Sequence, residues 1–253
     1  YFTMRSGGKP PLNAPPHSLP IGAEKKNIAL GGQTLKLIAL WFMLFDHIVT
    51  LFVPQHTLLR LLFKIPGGIS APLFFFCIAR GFEHSRCKGA YCRRLFFFAL
   101  LSHVPYILCF SYGFFEATSV LFSEALGACA LLVQRQEKLS PAVKLLLIFG
   151  LCVLAIPANW NYLGILWVLA FGMCRDRKTQ IRCFVLLGLL LWVLPGLVTA
   201  PAEHLWRFGF LLAVPFLRRY TESEPRPAKR CSRFFYWFYP LHLLLLSLMR
   251  LLK

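Results

Sequence analysis

Acidic residues are scarce in this chain. Its 253 residues hold ten Asp and Glu against 28 Lys and Arg, and charged residues of both signs make up 15% of it. A soluble domain carries about 25% charged and roughly 45–50% apolar residues, whereas 57% of this chain is hydrophobic. That is too little polar side chain to cover a globule in water. An aromatic content of 15% excludes disorder as well, since disordered segments lack large apolar side chains. The net charge of +18 does not indicate a nucleic-acid binder, because such proteins gather their cations on a compact polar face. Here the cations stand between apolar runs, so no nucleic-acid partner is expected. The nine cysteines include no CxxC pair, and Cys87 with Cys92 is the only close pair, so free thiols and no metal site are expected. GxxxxGK[ST], GxGxxG after a strand, HExxH and GxSxG are all missing, which removes support for an NTPase, a Rossmann enzyme, a zincin or a nucleophile-elbow hydrolase.

What the sequence does have is long apolar runs. Residues 1–30, with Gly7, Gly8, Pro10, Pro11, Pro15, Pro16 and Pro20, read as a flexible tail without an evident cleavable signal. Apolar runs then follow at 34–53, 68–83, 94–112, 117–134, 142–157, 161–174, 181–198, 204–219 and 234–251. A spanning helix needs about 20 residues, so the spacing predicts an all-α, polytopic bundle of about nine spans forming one membrane domain over 31–253. The weakest candidates are 68–83, preceded by an amphipathic piece at 57–65 and the break Pro66-Gly67-Gly68, and 161–174, which is short. Loops 80–94, 134–144, 174–182 and 218–233 hold 18 of the 28 basic residues, whereas the loops between them hold only Arg60, Lys64 and Arg207. Cytoplasmic loops are enriched in Lys and Arg, so the N-terminus, with Lys25, Lys26 and Lys36, is expected on the cytoplasmic side. Attraction to the anionic lipid bilayer follows as a by-product.

Ionisable residues inside such runs are costly, and a carboxylate at mid-span costs about 2.5–3.5 kcal/mol on the insertion scale. Asp46 lies 12 residues beyond Thr34 and is followed directly by His47. On the last run, Tyr239-Pro240-Leu241-His242 lies eight residues beyond Phe234, at comparable depth, and its proline frees backbone groups that a cavity or a neighbouring helix must satisfy. Asp46, His47 and His242 are therefore expected to meet in the bundle interior as a relay able to take a proton. A purely packing role, each group bonding to a neighbouring helix, is the alternative. His84 and His103 lie near helix ends, where solvation is cheap, and Arg80 with Glu83 reads as a local ion pair.

The run Leu35-Lys36, Ala39, Met43, Asp46-His47 resembles the first-helix pattern LKxxAxxxMxxDH of the TraX family, membrane acetylases named after the F-pilin acetylase. Gly67 to Phe76 followed by Gly81-Phe82-Glu83-His84-Ser85 is similar to the family's GRxAFPLFxF and GFxHT segments, Tyr91 with Arg94-Leu95 to YxxRL, and Phe235 to Leu243 to FYxFYPxHL. The resemblance covers about 34–251. It implies an integral acetyltransferase of the bacterial inner membrane, moving an acetyl group from cytoplasmic acetyl-CoA to a membrane or envelope acceptor, either a pilin-like amine or an envelope sugar. In that setting Asp46 and His47 are expected as base and orienter, His84 near the CoA side, His242 and Tyr239 lining the channel, and Arg93 and Arg94, beside Arg86 and Lys88, at the CoA phosphates. The sequence departs from the family at Gly68, where an Arg is expected, at Arg80 in place of an acidic residue, and at Asn159-Trp160 in place of an Asp-Tyr pair. Those departures favour a second reading, a membrane protein that keeps the fold without the chemistry. A proton-coupled transporter is a third.

Overall fold

The computed structural model describes residues 29–222 and 229–252, with side chains left out at 229–233. Most of the 1–30 tail, with Lys25 and Lys26, lies outside the described residues, as do Arg226 and the side chains of Lys229, Arg230 and Arg233 in the last basic loop. The described chain is helical and contains two isolated β-bridges but no strand. In order, the elements are α1 (Gly32–Phe52), α2 (Leu58–Gly67), α3 (Ser70–His84), α4 (Lys88–Phe110), α5 (Val120–Gln134), α6 (Pro141–Leu154), α7 (Asn161–Met173) and α8 (Arg177–Gly188). A π-turn at Leu189–Val193 leads into α9 (Leu194–Thr199). Then come α10 (Pro201–His204), a 3-10 segment (Leu205–Ala213), α11 (Val214–Arg219) and α12 (Lys229–Leu251).

Among the described residues, five stretches are long and apolar enough to cross a membrane: Gly32–Phe52, Leu58–His84, Lys88–Phe110, Arg177–Thr199 and Phe234–Leu251. The chain is thus a multi-pass α-helical membrane protein. The break predicted at Pro66-Gly67-Gly68 separates α2 from α3. In the fourth stretch the π-turn precedes Pro195, whose ring and missing N–H cannot join a regular i to i−4 ladder, and the wider turn absorbs it. α5, α6 and α7 are shorter, with 15, 14 and 13 residues. At 1.5 Å per residue they run roughly 20–22 Å, against a hydrocarbon core of about 30 Å. The run expected as one helix at 204–219 is not continuous. It divides into the last residue of α10, the 3-10 segment and α11, which begins at Val214-Pro215.

That 3-10 segment is shaped by contact with the α2–α3 break. A Cβ on Gly209 would collide with the Ile65 carbonyl, and a Cβ on Gly68 would lie 2.8 Å from the Gly209 carbonyl carbon. Two backbones meet there with no room for side chains. At the centre of the bundle, α7 packs against α3, α5 and α8, while α12 packs on α4 and α1 on α3. Trp167, Phe75, Phe76, Phe171, Phe184 and Phe210 fill the core, and the indole N–H of Trp167 donates to Phe184 O at 3.1 Å. The two bridges tie loops together, Thr118 to Ala158 and Leu30 to Tyr220. The second holds the entry to α1 against the end of α11.

Candidate functional site: a membrane-embedded cavity

α1, α3, α4, α5 and α12 enclose a cavity of about 660 Å³, within the roughly 300–1,000 Å³ of ligand sites. Its lining runs along α1 from Gly32 to Met43, eleven residues on or about 16 Å of helix. One end is mainly cationic and aromatic, with Lys36, Arg80, His84, Arg94 and Tyr236 beside the carboxylate of Glu222. The other is formed by Met43, Val120, Glu124 and Tyr239.

The polar side chains at the mouth are held by specific bonds. Arg94 donates from Nε to the Tyr236 hydroxyl at 3.0 Å, and its guanidinium lies over the rings of Tyr91 and Tyr236, at 5.4 and 5.2 Å. Planar cations suit such stacking, and the Arg keeps donors free for an anionic ligand. His84 Nδ1 lies 2.8 Å from Arg80 O, so that nitrogen carries the hydrogen and Nε2 of the neutral ring is left as an acceptor. Arg80 pairs with Glu83 at 2.5 Å and Glu222 at 3.2 Å. Lys88 donates to the Phe82 and Glu83 carbonyls and so caps the C-terminus of α3. Arg93 is exposed and lies outside the lining, one residue round the helix from Arg94, and Arg86 is exposed in the loop.

His47 and His242 meet one helical turn beyond the cavity end, since Met43 and Tyr239, four and three residues earlier, line it. The two rings are parallel to within 2°, with His47 Nδ1 2.9 Å from His242 Nε2. His242 Nδ1 is 2.9 Å from the Phe238 carbonyl and must donate to it. His242 Nε2 is therefore the acceptor, His47 Nδ1 the donor, and His47 Nε2 the remaining basic nitrogen of the neutral pair. Tyr239 packs on both rings, with centroids 6.4 Å from His47 and 5.3 Å from His242.

Asp46 turns the other way. Its carboxylate accepts from Lys64 at 2.9 Å, Lys64 also donates to Thr50 Oγ1 at 2.7 Å, and Gly67 lies so close that a Cβ there would collide with the carboxylate. Arg60 covers the end of α1 by donating to the Thr50 and Val53 carbonyls. The structure thus joins His47 to His242 and Asp46 to Lys64, two separate pairs, rather than a single Asp/His/His relay.

Two ionisable groups here escape the motif reading, Lys64 and Glu124. Lys64 is on the amphipathic helix α2, where a cation looks interfacial. Glu124 is 3% exposed on α5 and lines the cavity. The sequence signal for it is the one that marks Asp46, a carboxylate within an apolar run.

The three departures from the family pattern have structural roles. Gly68 allows the backbone contact with Gly209, Arg80 is the centre of the Glu83 and Glu222 pairs, and Asn159 N–H donates to Thr118 O at 2.9 Å. Trp160, with φ of 69°, packs in tilted contacts against Trp167 and Trp192, with centroids 5.4 and 4.7 Å away.

Fold and site together define a multi-pass helical membrane protein with an internal cavity lined by ionisable groups. The sequence profile described as TraX protein matches residues 31–250, and the chain belongs to the TraX family. It is 30% identical over 245 residues to "Probable fimbrial assembly protein FimC, serogroup H1" of Dichelobacter nodosus, a match covering 87% of this chain and 96% of that protein. No solved structure matches.

Proposed function

We propose that the protein is an acetyltransferase of the bacterial inner membrane, taking acetyl-CoA from the cytoplasm and acetylating an acceptor at the membrane, with pilus biogenesis as its setting. The fimbrial relative and the acetylase resemblance of the TraX motifs support that setting. The observation that carries the reading is the cavity itself, which leads from a cationic, aromatic mouth to a polar end one turn from the His47–His242 pair. Arg and Lys suit the CoA phosphates, and Tyr91 and Tyr236 offer stacking faces. His84 stands at the donor side. His47 and His242 act as a proton-holding pair behind Tyr239, and Asp46 is the counter-charge that keeps Lys64 in place. The basic-loop alternation supports a cytoplasmic mouth and nine crossings.

The test is made on the purified full chain in lipid nanodiscs, with radiolabelled acetyl-CoA and envelope membranes lacking the protein as the acceptor source. Acetyl label entering the membranes only when the protein is present is the expected result. Arg94→Gln is expected to weaken acetyl-CoA binding about tenfold, or about 1.4 kcal/mol, whereas Arg93→Gln leaves it unchanged. If the wild-type chain neither binds nor consumes acetyl-CoA, the reading is wrong.

A further inference from the structure

Glu124 is buried in the first turns of α5 and its side chain lines the cavity. Among the described residues no donor hydrogen-bonds its carboxyl group and no cation pairs with it. Of the cavity's cations, Arg80 pairs with Glu83 and Glu222, Arg94 donates to Tyr236, and Lys36 lies over the Phe235 ring at 5.6 Å. A carboxyl group kept in apolar surroundings without an internal partner is costly, and this one faces open space. The histidine pair differs on both counts. His47 and His242 do not line the cavity, and their facing nitrogens are bonded to each other.

We propose that Glu124 is a catalytic carboxylate of the cavity, contacting the N–H or O–H of the acyl acceptor and taking its proton during transfer. This rests on the acetyltransferase reading. In the step, the acceptor nitrogen or oxygen forms a bond to the thioester carbonyl carbon while its proton passes to the Glu124 carboxylate. The C–S bond then breaks, and the leaving thiolate takes the proton back from Glu124. The products are the acetylated acceptor and free CoA thiol, with no net proton released. Cys77 and Tyr239 line the same cavity and would help to hold the acceptor against Glu124, whereas the Tyr91 hydroxyl donates to Ile78 O.

Two measurements on the full chain in nanodiscs test this. Dicyclohexylcarbodiimide, which modifies protonated carboxyl groups in apolar sites, is expected to label Glu124, as read by peptide mass spectrometry. Acetyl-CoA is expected to slow that labelling several-fold. Labelling that bound acetyl-CoA leaves unchanged would overturn the proposal without any variant being made. In the second measurement, Glu124→Gln is expected to bind acetyl-CoA within about twofold of wild type and to lose transfer to envelope membranes by about 100-fold or more. Glu124→Asp should recover part of the rate. A Gln variant that transfers at the wild-type rate overturns the role of Glu124 and leaves the acetyltransferase reading intact. A wild-type chain without turnover ends both. Hydroxylamine treatment of the labelled membranes separates the acceptors, since it releases an acetyl ester from a hydroxyl and spares the amide.

Discussion

Helices α6 and α7 are neighbours in sequence, nearly equal in length, and both strongly apolar, yet they have opposite surroundings. α7 buries nine of its 13 residues, Leu163 to Ile165 and Trp167 to Gly172, whereas α6 buries none of its 14. The difference lies in small residues. A Cβ on Gly164 would lie 2.6 Å from the Phe75 ring and 3.0 Å from Ser123, and one on Gly172 would lie 2.6 Å from Leu131. On α6, Gly150 has nothing within 4 Å, and Leu145, Leu146, Phe149 and Leu154 are exposed on the described surface. Where lipid is as apolar as leucine, hydrophobicity does not choose a helix's neighbours, whereas close backbone approach does.

Substitutions on the two helices probe this contrast, with unfolding in detergent or nanodiscs as the measurement. The largest effect is expected from Trp167→Ala, which empties a fully buried indole site and removes the bond to Phe184 O, at a cost of about 3–5 kcal/mol. Gly164→Val is next, at about 1–3 kcal/mol, because the added methyls must displace Phe75 or separate α7 from α5. A Gly164→Val chain as stable as wild type would show that α7 is not held by close packing. Phe149→Ala on α6 should change stability by no more than about 0.5 kcal/mol, as for a surface site. A loss comparable to that of Trp167→Ala would mean that α6 is covered by protein rather than lipid. Gly150→Ala should have the opposite sign, a gain of about 0.5–1 kcal/mol from helix propensity alone.

The polar sites repeat this contrast between paired and open. Asp46, His47 and His242 are legible in the sequence because ionisable groups are anomalous in apolar runs, and the run beginning at Leu35 places two of them at mid-depth. Their partners are not legible. Lys64 reaches Asp46 from a separate helix 18 residues on, and His242 reaches His47 across 195 residues, so no local spacing reports either bond. Arg93 and Arg94 are equivalent as sequence, but adjacent helical residues point about 100° apart, and only Arg94 lines the cavity. The run at 204–219 is apolar enough to read as a helix, yet the contact between Gly209 and the Ile65 carbonyl holds part of it as a 3-10 segment.

Read alone, the sequence establishes that this chain lives in a bilayer, which stretches are helical, where the main break falls, and which polar residues are out of place. Composition and the periodic placement of charge carry that information locally, because lipid penalises each unpaired polar group wherever it lies. It took the packed bundle to pair Asp46 with Lys64, to join two histidines by a bond, to turn Glu124 toward a cavity, and to select which apolar helices form the centre. Those outcomes depend on which helices approach closely enough to touch, and that is set by shape complementarity between residues far apart in the chain rather than by hydropathy.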